Sequence, residues 1–382
     1  MKERIIFHID VNNAFLSWTA VEKLKNGERK DIRNTYAIIA GDEKQRKGIV
    51  LAKSIPCKQK GVITGEPIYS ARRKCPYLEI YKPEFEIYKK YSNAMYNYLC
   101  QYTNIIERYS IDECFLDYTE SQKLFGDPLK LAYKIKNDIK RLFGFTVNIG
   151  IGNNKLCAKM ASDFQKPDRV HTLFSNEISK MWPLDVGDLF MIGKRSSTKL
   201  RELDIKTIGD LAQADPNFLI RHFKSMGKIM HDYANGIDDS PVEYEYESPK
   251  SVSTSTVLPY NYSNKDEIIK MLKTLSSETG KRLRHNNLYA SVISIWIKYN
   301  NFTKVSKQIK LDNNTNTDED IYKYALILFD KLWNEEDSIR GLCVGVSDVS
   351  PTHNVQLSIF STEKKVVTND KLQKTLDNIK NK

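Results

Sequence analysis

The sequence predicts a multidomain chain of the α/β and α+β classes, an expectation that rests on three observations. Ile5-Ile6-Phe7-His8-Ile9 is a near-continuous apolar run of strand length, and Phe15, Trp18, Val21 and Leu24 follow it at helical spacing. Residues 251–349 alternate in the order β-α-β-β-α-β, the split ferredoxin-like unit. The length of 382 residues allows two to four domains at roughly 100–200 residues each.

Each element has a local reason. Asn12 or Asn13 can cap the first helix. Ile105–Tyr109 and Cys114–Leu116 read as two strand arms around Ser110-Ile111-Asp112-Glu113, and Leu129, Ala132, Ile135, Ile139 and Leu142 mark one face of a helix. That helix leads into a strand over Phe145–Gly150, and Asn153–Ala161 reads as a capped helix start. Residues 171–236 look compact and helical. In them Met191-Ile192-Gly193, a helix to Leu200 and the run Leu203–Leu211 have the pattern of a helix-hairpin-helix. Asp238–Lys250 is acidic, contains proline and lacks periodicity, so a linker is expected over 237–250. In the last domain strands are expected at Ser251–Leu258, Ala290–Tyr299, Thr303–Leu311 and Arg340–Val349. Helices are expected at Lys265–Arg284 and Asp318–Trp333. Residues 361–382 carry no core of their own.

Composition narrows the function classes. An apolar content of 41% and a charged content of 28% exclude wholesale disorder. No run approaches the ~20 apolar residues of a membrane helix, and the start MKERIIFHID lacks a signal-peptide core. Six scattered cysteines without a C-x-x-C pair argue against a disulfide framework or structural zinc, so a cytoplasmic location is expected. The 59 Lys and Arg against 48 Asp and Glu leave +11, which suits a polyanionic partner without requiring one.

The chemistry is expected at three carboxylates. Asp10 stands where the first strand runs out, and Asp112 and Glu113 lie between two strand arms. Carboxylates at the ends of adjacent strands can converge on hard divalent cations. Neighbours on a regular strand point to opposite faces, so Asp112 and Glu113 can share a site only at a turn or bulge. Alone, either piece would more often be a cap or a solvated turn.

Together the segments resemble the Y-family (translesion) DNA polymerases over nearly the whole chain. The carriers are His8-Ile9-Asp10-Val11-Asn12-Asn13-Ala14-Phe15, Ser110-Ile111-Asp112-Glu113-Cys114-Phe115-Leu116-Asp117, the run Gly150–Asp163 ending in Lys166-Pro167, and the fingers loop Gly61–Pro67. The resemblance implies a right-hand polymerase of the bacterial UmuC-like/DinB-like branch. Its palm would span 1–170 with fingers inserted at about 13–78. A helix-hairpin-helix thumb would span 171–236, a βαββαβ little finger 251–349, and a tail 350–382.

It also implies low-fidelity translesion synthesis, in which a primer 3′-hydroxyl attacks a dNTP. Two Mg²⁺, with Mn²⁺ as a substitute, would be held by Asp10, Asp112, Glu113 and the Val11 carbonyl, the three carboxylates being catalytic. Phe15 takes the steric-gate position beside Asn13 and Ala14, while Lys58 and Lys155 are expected at the triphosphate. Asn12, Ala14, Ile55 and Met191 depart from the family pattern. Lys298, Lys304, Lys307 and Lys310 would meet primer-template DNA. With period two, Lys304 shares a face with Lys310, and Lys307 falls opposite. Gln356-Leu357-Ser358-Ile359-Phe360 is similar to the peptide that docks on the sliding clamp, with Gln356, Leu357, Ile359 and Phe360 as anchors. A monomer, SOS accessory proteins as further partners, and no membrane contact complete the expectation. The rival is a polymerase-like DNA- and clamp-binding protein with weak turnover that competes at stalled forks. A nucleotidyl cyclase would explain neither the helix-hairpin-helix nor the terminal unit.

Overall fold

The computed structural model describes residues 3–244 and 248–352. The clamp-like peptide Gln356–Phe360 lies outside the described residues. In chain order the elements are β1 (Ile6–Val11), α1 (Ala14–Lys25), β2 (Ala37–Ala40), β3 (Val50–Lys53), α2 (Ile55–Gln59), α3 (Ile68–Lys74), β4 (Glu79–Tyr81), α4 (Phe85–Leu99), β5 (Ile106–Arg108) and β6 (Glu113–Asp117). There follow α5 (Gln122–Phe125), α6 (Pro128–Phe143), β7 (Val147–Gly152), α7 (Lys155–Asp163), β8 (Val170–Leu173), α8 (Lys194–Glu202), α9 (Ile208–Gln213), α10 (Pro216–Phe223) and α11 (Ser225–Ala234). The last group is β9 (Ser251–Tyr262), α12 (Lys265–His285), β10 (Tyr289–Tyr299), β11 (Lys304–Thr315), α13 (Asp318–Asp330) and β12 (Ile339–Ser350).

The described residues divide into two compact units, one of 3–41 and 49–244, the other of 42–48 and 248–352. In the first, a five-stranded sheet has the order β5-β6-β1-β7-β8. Strand β1 is buried along its whole length because helices cover both of its faces. Phe7, Ile9 and Val11 join the core built with α4 and α6. His8 and Asp10 face the opposite way, with Glu113 across from Asp10 on one side and Asn148 on the other. On this second face α7 lies so close to β7 that a Cβ on Gly150 would collide with the Ala158 carbonyl. A smaller sheet, β3-β2-β4, packs with α1, α2 and α3 in the expected fingers region.

Two sequence expectations change here. The first helix is entered not through a side-chain cap but through Asn13 in the left-handed conformation, φ 49°, with no side-chain cap bond. The expected linker 237–250 is packed over its first part. The Leu156 N–H donates to Asp238, Arg4 to the Ser240 carbonyl and the Glu243 N–H to Glu107. Val242 is buried with Ile6, Phe115 and Ala158. The helices α8 to α11 share a core with Leu156, Met160 and Leu173, so the expected thumb is continuous with the palm's packing. Its helix-hairpin-helix is present as α8 and α9, with a capping box in which the Thr207 side chain accepts from the Asp210 N–H and Asp210 accepts from the Thr207 N–H.

The second unit has the expected β-α-β-β-α-β order, folded as a four-stranded antiparallel sheet β11-β10-β12-β9. Helices α12 and α13 pack on one face over Ile293, Ile295, Ile297, Leu342 and Val344. Register puts Ser294, Trp296 and Lys298 of β10 on the other face, with Ser306, Gln308, Lys304 and Lys310 of β11 beside them. Gly341, Cys343 and Gly345 of β12 and Ser253 and Ser255 of β9 complete that face. Lys307 pairs with Ile295 and so belongs to the helix-covered side.

Candidate active site

The carboxylates are positioned by strand register. Asp10, near the C-terminal end of β1, is the cross-strand partner of Glu113, the first residue of β6, and cross-strand partners share a face. Asp112 sits just before β6 in the turn, and its carbonyl accepts the Val11 N–H at 3.1 Å. The turn is what frees the Asp112 side chain from strict alternation. Asp10, Val11, Asn12, Asn13, Ala14, Phe15 and Asp112 line one cavity of about 350 Å³, whose far wall is Leu51 to Lys53, Ile55, Lys58 and Thr64, with Lys166 and Pro167 at its edge.

The three acids are not equivalent. Burial pushes the Asp112 carboxyl above the usual range; the Ser110 hydroxyl, donating at 2.6 Å, opposes this, and the charges of Asp10 and Glu113 add to the rise. Burial also works against ionised Glu113, but the His8 imidazole and the Lys159 ammonium at 2.7 Å outweigh it and hold its carboxyl at about 2. Asp10 accepts from Lys166, which also pairs with Asp163 at 2.7 Å. His8 is fully buried, its Nδ1 2.7 Å from the Ser162 hydroxyl and its Nε2 3.8 Å from Glu113. Among the described residues no three His, Cys, Asp or Glu side chains gather as a ready-made metal cage. Lysines Lys159 and Lys166 supply the countercharge.

Asn12 lines the cavity, yet its amide is engaged in three hydrogen bonds away from it. It donates to Asn148 at 3.0 Å and accepts from Thr146 at 3.0 Å and from the Asp168 N–H at 2.9 Å. Asn148 in turn donates to the carbonyls of Ser162 and Gln165, which fixes the chain that carries Lys166. Phe15 lies against Tyr88 with rings stacked at 4.5 Å and 6°, and meets Phe85 edge-on at 5.9 Å.

Among the described residues, three lysines reach the cavity: Lys53, Lys58 and Lys166. Lys53 donates to Thr64 at 3.0 Å, and burial together with the nearby Lys58 charge lowers its pKa. Of the expected phosphate lysines, Lys58 lines the cavity and Lys155 does not. Lys155 forks onto both oxygens of Glu107 at 2.7 and 2.9 Å, with its ammonium 5.2 Å from the Phe115 ring centre. The reason is helical geometry. Lys155 and Lys159 stand four residues apart on one stripe of α7, so Lys155 is displaced by roughly 6 Å along the axis from the lysine that reaches Glu113. Sequence reasoning missed Lys53 and Lys166. Lys166 ends the family-like run that begins at Gly150, and its position past the helix end is the available signal.

The impB/mucB/samB family model matches residues 9–163, and the model of that family's C-terminal domain matches residues 249–359. The DNA polymerase IV of Clostridium acetobutylicum is 48% identical over 380 residues, 99% of this chain and 95% of the relative. That of Acetivibrio thermocellus is 35% identical over 99% of this chain and 94% of its own length, and DNA polymerase IV 2 of Bacillus subtilis is 34% identical over 100% and 92%. A solved Y-family DNA polymerase chimera, Dbh-Dpo4(243-245)-Dbh, superposes with a TM-score of 0.77 at 24% identity, covering 90% of this chain and 99% of that one. The fold is thus that of a multidomain, right-hand polymerase. The chain belongs to the Y-family of DNA polymerases, on its DinB-like side.

Proposed function

We propose that this translesion DNA polymerase joins a dNTP to a primer 3′-hydroxyl in the cavity bounded by Asp10, Asp112 and Phe15, with low fidelity. The observation that carries the reading is the cross-strand pairing of Asp10 with Glu113 beside an Asp112 that shares Asp10's cavity. The donor set suits hard divalent cations, since every donor is oxygen, and the Lys159 and Lys166 ammonium groups on Glu113 and Asp10 would have to give way to them. Asp10, Asp112, Glu113 and the Val11 carbonyl would hold two Mg²⁺, which Mn²⁺ can replace. When bound, such a pair stabilises the attacking and leaving oxygens of the displacement.

The protein's own groups account for the rest. Phe15, backed by Tyr88, fills the space beneath the nucleotide sugar and leaves no room for a 2′-hydroxyl. Asn13 and Ala14 form the adjoining floor. Lys53, Lys58 and Lys166 meet the triphosphate as point charges, and Lys155 holds Glu107 and the chain after the thumb. Lys298, Lys304 and Lys310 present positive charge on a Ser- and Gly-floored sheet face suited to DNA phosphates, and Lys307 adds charge from the other side of the edge strand. Gln356, Leu357, Ile359 and Phe360 would dock on a sliding clamp. Binding to an immobilised clamp should disappear in Phe360→Ala.

Primer extension tests the centre. Asp112→Asn and Glu113→Gln are expected to slow single-nucleotide incorporation by roughly a thousandfold while binding primer-template as wild type does. Extension by either variant at wild-type rate, or by wild type in a chelator, would overturn the reading. The weak-turnover rival would instead show binding without incorporation in wild type at any metal concentration.

A further inference from the structure

At the β10–β11 turn, Tyr299 donates its N–H to the Thr303 carbonyl at 2.9 Å, and Phe302 donates to the Tyr299 carbonyl at 3.0 Å. This hairpin needs one residue in the left-handed region, a place for glycine or asparagine. Asn300 and Asn301 stand immediately before it, yet the residue at φ 69° is Phe302. A bulky side chain there carries a backbone cost that a polar residue would avoid, and such strain collects at functional sites. Phe302 is 61% exposed as a residue, so burial does not repay that cost. Two cations lie against it, the Lys298 ammonium at 5.1 Å and the Arg340 guanidinium at 4.7 Å from the ring centre. Lys298 belongs to the open sheet face, where its Cβ adjoins Gly341. A third pairing on the same face, Lys304 over Trp296 at 4.3 Å, shows the pattern again.

We infer that Phe302, flanked by Lys298 and Arg340, is a contact for the sugar edge of duplex DNA at the end of this sheet face. The apolar ring packs on deoxyribose while the two cations meet the phosphates on either side. The inference rests on the reading of the open face as the DNA-binding surface. Sugar and phosphate are present at every step of a duplex, so the contact is independent of base sequence.

The test is fluorescence anisotropy of the full chain on a primer-template duplex across a salt series. Phe302→Gly suits the left-handed backbone and should fold at least as stably as wild type. It is expected to weaken binding about fivefold with the salt slope unchanged, and Phe302→Tyr should restore it. Arg340→Ala should instead reduce the slope by about one unit. If Phe302→Gly binds as wild type while the combined Lys298→Ala, Lys304→Ala, Lys310→Ala variant is weakened, the inference falls and the reading of the face survives. If that triple variant also binds as wild type, both fall. A loss in Phe302→Gly that comes with a flatter salt slope would report loosened cations rather than a ring contact, and also overturns it.

Discussion

Lys166 lines the cavity, while Lys155, which the resemblance assigned with Lys58 to the triphosphate, is held on Glu107. Under the proposed function, Lys166→Met should raise the KM for dNTP about tenfold, because a partly buried ammonium is lost from the cavity that would hold the triphosphate. Lys155→Met should leave that KM within twofold but cost about 2 kcal/mol of stability, since Glu107 is then left half-buried without its partner. Nucleotide titration in steady-state extension, paired with urea denaturation, separates the two. At Asn148, removal of the amide by Asn148→Ala strands the carbonyls of Ser162 and Gln165 and one bond of Asn12. The expected loss is about 2–3 kcal/mol in the same denaturation assay.

The elements show which kinds of information are local. Strands and helices of the last unit follow from periodicity, because each has one apolar face and the alternation switches sharply between periods of two and 3.6. The carboxylate pairing was legible from motif and strand order. The docking of residues 237–244 was not, because its partners Arg4 and Glu107 lie far away in sequence and meet it at its backbone groups. Nor did spacing reveal the left-handed entry at Asn13, which leaves no composition signal beyond asparagine itself. In the fingers, the Gly61–Pro67 loop is closed by Glu66, which accepts from Lys74 at 2.6 Å, Ser70 at 2.9 Å and the Ile63 N–H at 3.0 Å. Burial opposes its ionisation, but these donors outweigh burial and keep the carboxyl below its ordinary 4.5. A depressed carboxylate contributes stability that is complete above the unfolded value and is lost as pH falls through the folded one. Denaturation midpoints should therefore drop below pH 4.5, and Glu66→Gln should lower stability at neutral pH while flattening that pH dependence.

For the whole molecule, separate cores in the two units predict separate unfolding. Calorimetry should resolve more than one transition. A dNTP at a hundred times its Kd should raise only the transition of the unit that contains the cavity, by about 2.7 kcal/mol. A joint shift of all transitions would contradict that independence. The same architecture explains how a chain of only +11 can serve a polyanion, since lysines are gathered on one sheet face and around one cavity.

Lys159 and Lys166 already neutralise Glu113 and Asp10, and the repulsion that remains falls on Asp112, whose carboxyl is pushed up, so the fold around the acidic cluster does not depend on metal. Stripping with EDTA should accordingly silence the enzyme without melting it, and dialysis back into magnesium should return full turnover. Such a protein should tolerate long storage in its metal-free form.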